Sequence, residues 1–319
     1  MIGFAVTRIF GVAVTLLVAA AIIFLLLDIM PGDPARFMLG INATEDAVAA
    51  LRTDLGLDKP TLERFFIWLF GLFQGDLGIS FSQREPVTAL MLERLQVSLP
   101  LALSALFLST IIGLPIGIIA AQNRGKFGDT SAMILAQIGV AIPNFWFAML
   151  LVLLFAVTWR IFPPGGFVPW GENPAHAARS LVLPAIALAL PQAAILARIM
   201  RTSLVDIMQA DFIRTARAKG LSLNQAVWRH GVRNALLPVL TIMGLQFAFL
   251  IAGTIIVENV FYLPGLGRLI FSAISARDLI VVRSSILVLV ALVILVMFIV
   301  DLTYAWVDPR IRQGGQRDG

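Results

Sequence analysis

IFGVAVTLLVAAAIIFLLL, residues 9–27, runs for 19 positions without a charge, between Arg8 and Asp28. A hydrocarbon core about 30 Å thick is crossed by roughly 20 apolar residues at about 1.5 Å rise each, and charges within it are costly. The stretch therefore reads as a membrane span. It is longer than the ~7–15 apolar residues of a cleavable signal, and Asp28, Pro31 and Gly32 follow where small residues would mark a cleavage site, so a retained helix is expected.

Five more runs of this kind follow, at 95–123, 130–159, 180–197, 234–257 and 284–300, the last able to continue through 302–307 past Asp301. With 59% hydrophobic and 13% charged residues among 319, the chain carries more apolar surface than a water-soluble core hides. The expected fold is an all-α membrane protein of six transmembrane helices. Cysteine is absent, which removes disulfides and thiolate metal sites.

A net charge of +5 without a basic stripe interleaved with aromatics does not call for nucleic acid. It fits the positive-inside pattern. With the N-terminus in the cytoplasm, thirteen basic residues fall inside and five, Arg160, Arg179, Arg268, Arg277 and Arg283, fall in two short outer loops. The other six lie in 28–94, which also holds ten of the nineteen acids and is too long for the rule to bind. The organisation expected is 1–29, N-terminus and first span; 30–94, an outer cap; 95–308, a core of five spans with a cytoplasmic loop at 201–235; and 309–319, a cytoplasmic tail. Both termini are expected in the cytoplasm.

Within the cap, 44–55 reads as a helix, and 62–73 as an amphipathic aromatic helix opened by Pro60 and Thr61. The PPGG run at 163–166 reads as a rigid outer turn. Pro115, Pro143, Pro184, Pro191 and Pro238 fall inside spans and predict kinks, since proline frees a carbonyl one turn earlier. Gly113 and Gly117 form a GxxxG pair that permits close helix approach.

The loop 201–235 divides into two helical pieces. Val205, Met208, Phe212 and Ala216 fall on one face, opposite Asp206, Gln209, Arg214 and Arg217. Gly220 can close the first piece in a left-handed conformation, and Ser222 with Gln225 forms a capping box for the second. Either this hairpin docks on a partner, or it lies on the lipid surface.

DFIRTARAKGLS at 211–222, followed by HGVRNALLP at 230–238, resembles the coupling loop of ABC importer permeases. MPGDPA (30–35), LGLDKP (55–60), GDLGIS (75–80), LPGLGR (263–268) and DPRIR (308–312) extend the resemblance over nearly the whole chain, to the first permease subunit of the dipeptide, oligopeptide and nickel family. The resemblance implies the type I importer permease fold in a bacterial inner membrane. It implies that Arg214, Thr215, Ala216, Arg217, Ala218, Lys219, Gly220 and Leu221 couple the spans to a cytoplasmic ATPase. The general pattern, Glu-Ala-Ala, three residues, then Gly, is kept here only at Ala216 and Gly220, and the spacing from Gly220 to Pro238 is five residues longer than in sugar importers. Both departures look like the peptide and nickel branch. The partners implied are a second homologous permease, two ATPase subunits that bind ATP and Mg, and an extracytoplasmic solute-binding protein.

The chain offers no nucleotide site of its own. Gly125-Lys126 is the only Gly-Lys pair, Ala120 stands where a P-loop needs its first glycine, and Phe127 follows the lysine. HExxH and GxSxG are absent, and His176 and His230 fall on opposite sides, so neither catalysis nor a metal site is expected. Gln137, Asn144, Gln192 and Gln246 are the candidates to line a translocation path, with Gln137 and Asn144 on one helix face at a spacing of seven. The same amides could instead join helices. Arg198, Glu258 and Asp301 read as snorkelling residues at span ends. Amides exchange hydrogen bonds with peptide groups, whereas bare nickel favours imidazole or carboxylate ligands, which the spans do not offer on this reading. A short peptide is the expected solute, ahead of nickel, glutathione or an oligosaccharide. An ATP-independent secondary transporter, which would show inverted repeats and paired ionisable residues at mid-membrane, is the rival class.

Overall fold

A computed structural model describes residues 2–29, 34–40, 43–54 and 56–307. Residues 30–33 of the MPGDPA motif, Leu55, the DPRIR motif and the expected tail lie outside the described residues. Backbone contacts divide the chain into two compact units, residues 1–97 with 264–295, and residues 98–263 with 296–319.

In the first unit, α1 (Ile2–Asp28) carries the opening apolar run, and two short helices, α2 (Pro34–Leu39) and α3 (Glu45–Asp54), follow it. The amphipathic α4 (Thr61–Phe73) has Pro60 at its N-cap and Thr61 as its first residue, in line with the expected start. It turns Phe65, Trp68 and Leu72 onto Ala20 and Phe24 of α1. The Phe24 and Trp68 rings stack with centroids 5.7 Å apart.

The GDLGIS motif forms a tight loop. Asp76 Oδ1 accepts the Gly78 N–H at 2.8 Å, and an isolated bridge pairs Ile79 with Pro86. Gly78 has φ +89°, and a Cβ there would sit 2.9 Å from Ile280. Asp278 clasps this loop. The Ser80 and Ser82 hydroxyls donate to its Oδ2 at 2.8 and 2.9 Å, and the Ser82 N–H at 3.0 Å. Its other oxygen accepts the Val281 N–H and so caps the last helix.

The long α5 (Val87–Gln122) begins among the residues of the first unit, runs on into those of the second, and continues past both Pro100 and Pro115. The third expected span is not one helix. It breaks into α6 (Phe127–Ala141) and α7 (Asn144–Leu151), the latter extended by a π-helical stretch Val152–Thr158, with a 97° bend between the two halves. Ile142 and Pro143 are both extended, since a residue preceding proline is driven out of the helical region.

The central helix is α8 (Pro174–Met208). Asn173 caps it, and 78% of its most apolar stretch is buried. Two short segments follow, α9 (Asp211–Ala218) and α10 (Leu223–Ala226), then a π-helical turn at Val227–Gly231 leads into α11 (Val232–Val260). Pro184, Pro191 and Pro238 lie inside uninterrupted helices, so among the prolines singled out in the sequence only Pro143 breaks one. Back in the first unit, the amphipathic α12 (Leu266–Ser275) precedes the final helix, α13 (Leu279–Val307), whose residues from Val296 belong to the second unit and which extends past Asp301 as expected. Among the described residues, five helices are long and apolar enough to cross a membrane, six with the bent pair. The all-helical membrane fold is thus as the sequence predicts.

The GxxxG pair is where α5 meets α8. A Cβ on Gly113 would stand 2.6 Å from the Ala193 carbonyl oxygen, and one on Gly117 2.5 Å from that of Ala197. Only hydrogen in place of a side chain lets the two backbones come this close.

Candidate functional site

The helical hairpin closes by local rules. At the end of α9 the Gly220 N–H donates to the Arg217 carbonyl at 2.9 Å and the Leu221 N–H to the Ala216 carbonyl at 3.3 Å, the two bonds of a Schellman turn. Gly220 has φ +94°, which L side chains rarely adopt. Across the turn, the Ser222 hydroxyl accepts from the Gln225 N–H while the Gln225 side chain accepts from the Ser222 N–H, so the expected capping box is present.

Ile213, Ala216 and Ala226 bury themselves inside the hairpin, with Ile207 and Leu221 packed against them. This corrects the face expected from sequence. The chain turns at Gln209 and Ala210, so α9 does not continue the periodicity of Val205 and Met208, and Phe212 is exposed while Ile213 faces inward. Ala216 is a packing residue of the hairpin, not a free contact surface. Arg214, Thr215, Arg217, Ala218 and Lys219 are all exposed, as are Trp228, Arg229 and His230 just beyond α10.

The hairpin is continuous with two long helices and braced at its base. Ile118 and Ala121 of α5 pack with Leu196, Met200 and Leu204 of α8, with Val227 and with Ala235 of α11. The Gln122 amide donates to the Asn224 side chain at 2.7 Å. Asp129, at the head of α6, is buried and receives two guanidinium nitrogens of Arg201 on α8 together with the Gly125 N–H. This pair is not legible in the sequence. A single acid opening an apolar run gives no local sign of an arginine 72 positions away.

The four amides do not form one set. Gln137 is exposed and lines an open pocket of about 340 Å³ with Asp129, Thr130, Met133, Ile134 and Arg201. Asn144 lies past the break, so the shared helix face with Gln137 does not exist; it sits beside Gly253 of α11 instead. Gln192 and Gln246 are buried, and the Gln246 amide donates to the Gln192 main-chain carbonyl at 2.8 Å, joining α11 to α8. That hydrogen bond joins two helices, while the side-chain oxygens of both glutamines find no partner among the described residues.

Glu258 is not a snorkelling residue. It is fully buried in α11 and accepts a 2.5 Å hydrogen bond from Ser98. The spans therefore do contain a carboxylate, so a lack of such ligands does not weigh against nickel. Among the described residues no group of three or more His, Asp or Glu is placed to hold a metal.

A family model described as the binding-protein-dependent transport system inner membrane component matches residues 113–313, and one for the N-terminal part of such a membrane component matches residues 1–102. The chain is 44% identical over 297 residues to a Brucella abortus protein that bears the name of a peptide transport system permease, covering 93% of this chain and 95% of that one. It is 38% identical over 312 residues to the glutathione transport system permease protein GsiC of Escherichia coli, covering 98% and 99%. Its fold is similar to that of a chain in the MetNI methionine ABC transporter, crystallised in an inward-facing conformation. There the TM-score is 0.56 at 20% identity, with 69% of this chain and 96% of that chain covered. The chain therefore belongs to the binding-protein-dependent transport system inner membrane component family, the multi-pass, non-catalytic permease component of ABC importers.

Proposed function

We propose that this subunit carries short peptides, glutathione among them as a tripeptide, into the cytoplasm, driven by partner ATPases that grip the hairpin of α9 and α10. The observation that carries the coupling role is the hairpin itself: an exposed basic surface, closed by a Schellman turn and a capping box, continuous with α8 and α11 and tied to α6 by Asp129 and Arg201. Arg214, Thr215, Arg217, Ala218 and Lys219 supply the contacts, while Ala216, Gly220 and Leu221 hold the shape. Both termini and the hairpin lie in the cytoplasm. A second homologous permease, two ATPase subunits binding ATP and Mg, and an extracytoplasmic solute-binding protein complete the transporter. The names of the peptide and glutathione relatives support the solute class. Gln137, in its open pocket, is the one amide of the four assigned here to the path.

The test is uptake by the reconstituted transporter with its own binding protein, comparing labelled dipeptides, longer peptides, glutathione and nickel. Saturable, ATP-dependent nickel uptake with no peptide uptake or competition would reject the solute while leaving the importer reading intact. Normal transport and normal solute-stimulated ATPase activity in an assembled Gly220→Val variant would reject the coupling role.

A further inference from the structure

The Ser285 hydroxyl aside, three buried hydrogen-bond donors in the first unit have nothing to donate to among the described residues: Nε of Arg64, the indole N–H of Trp68, and Nε of Arg283. They belong to one cluster. The Arg283 guanidinium carbon lies 4.5 Å from the centre of the Trp68 ring and 5.4 Å from that of Phe24. Arg64 precedes Trp68 by one turn of α4, and the charges that act on Arg283 are Arg64 and Asp28, which oppose each other.

The one carboxylate is already taken. Arg64 spans Asp28 with both terminal nitrogens, at 2.8 and 3.0 Å, and the Thr61 hydroxyl donates to the same group at 3.1 Å. Two guanidiniums against one acid leave an excess positive charge on Arg283. Cation–π contact with Trp68 and Phe24 stabilises that charge, but it supplies no hydrogen-bond acceptor. Buried donors without acceptors are costly and rare in native proteins, so an acceptor from outside the chain is indicated.

Position says where it comes from. Asp28 ends α1 directly after the uncharged run at 9–27, and Arg283 precedes the run at 284–300, so both stand where a span meets the headgroups. The α4 helix that covers them turns Leu62, Phe66, Ile67, Phe70 and Phe73 outward, the pattern of a helix lying in the interface with its apolar side in the acyl region. Lipid phosphates are the anions at that depth. A phosphodiester presents two oxygens to a guanidinium fork and accepts from an indole N–H as well.

We propose that Arg283, with Trp68 Nε1 and Arg64 beside it, holds the phosphodiester of a membrane phospholipid and prefers net-anionic headgroups. The site rests on the chain spanning a bilayer and is independent of the hairpin.

The test is native mass spectrometry of the assembled transporter, delipidated and then offered phosphatidylglycerol, phosphatidylcholine or diacylglycerol with the same acyl chains, in the presence and absence of inorganic phosphate. The wild type retains phosphatidylglycerol best and diacylglycerol not at all. Millimolar phosphate does not displace the lipid. Arg283→Gln weakens phosphatidylglycerol retention about tenfold, the effect of losing a charge-assisted fork. Trp68→Phe keeps the ring and loses only the N–H, and it weakens retention a few-fold; this variant decides the matter if Arg283→Gln does not assemble. Equal retention of diacylglycerol, displacement by phosphate alone, or unchanged retention in both variants overturns the site.

Discussion

Arg201→Gln is expected to be the most damaging single change at the base of the hairpin. Removing the guanidinium leaves the Asp129 carboxylate, whose side chain is 5% exposed, with the Gly125 N–H as its remaining donor. Breaking a buried ion pair from one side costs about 3–5 kcal/mol. The Arg201 side chain is 26% exposed, so solvent screens part of the interaction and about 3 kcal/mol is the appropriate figure. Asp129→Asn is milder, about 1–2 kcal/mol, because the stranded guanidinium reaches water and the amide oxygen still accepts one bond. In the double variant two neutral amides face each other and no charge is buried, so Asp129→Asn combined with Arg201→Gln should be more stable than Arg201→Gln alone. The coupling from the four-membered cycle is about 2 kcal/mol. Denaturant or thermal unfolding of the detergent-purified chain measures the three differences. Strictly additive losses, or a milder effect of Arg201→Gln than of Asp129→Asn, would refute the account of a buried carboxylate held by one arginine.

Gly117→Ala should destabilise despite alanine's better helix propensity, because its Cβ falls 2.5 Å from the Ala197 carbonyl oxygen; at Gly128, where nothing lies within 4 Å, the same change should be neutral or stabilising by up to about 1 kcal/mol, as unfolding of both variants would show. Asp278→Ala strands three donors from Ser80 and Ser82 and should cost about 2–4 kcal/mol, read out as faster proteolysis within 76–86; equal cleavage rates would dismiss the clasp. Gly220→Val should strain the turn by about 1 kcal/mol or more and lower transport while membrane insertion survives. In this cysteine-free chain, Arg217→Cys and Asp46→Cys, both exposed, test the topology; an impermeant reagent on intact cells should label position 46 and spare 217, and equal labelling would refute the assignment.

The sequence alone determined the features governed by near neighbours. Uncharged runs of sufficient length declared the spans because a lipid solvent tests each residue separately. The hairpin turn was legible at Gly220 and the cap at Ser222 and Gln225, since a Schellman turn and a capping box are each closed within a few residues. What the prolines do was a tertiary decision. Pro184 and Pro191 are buried in the packed central helix, and Pro115 lies between Gly113 and Gly117, whose backbones seat on α8, so neighbours hold those helices through the missing bond. Pro115, Pro143 and Pro238 are all exposed, yet of these three only Pro143, with Ile142 extended before it, marks a break, where the chain turns by 97°. Partners across long separations were decided the same way. Glu258 reads as a span-end acid until Ser98, 160 residues away, is set against it, and nothing near Asp129 in the sequence points to Arg201 on α8. A pattern along one helix says which side chains must leave lipid, but only packing says which groups they find.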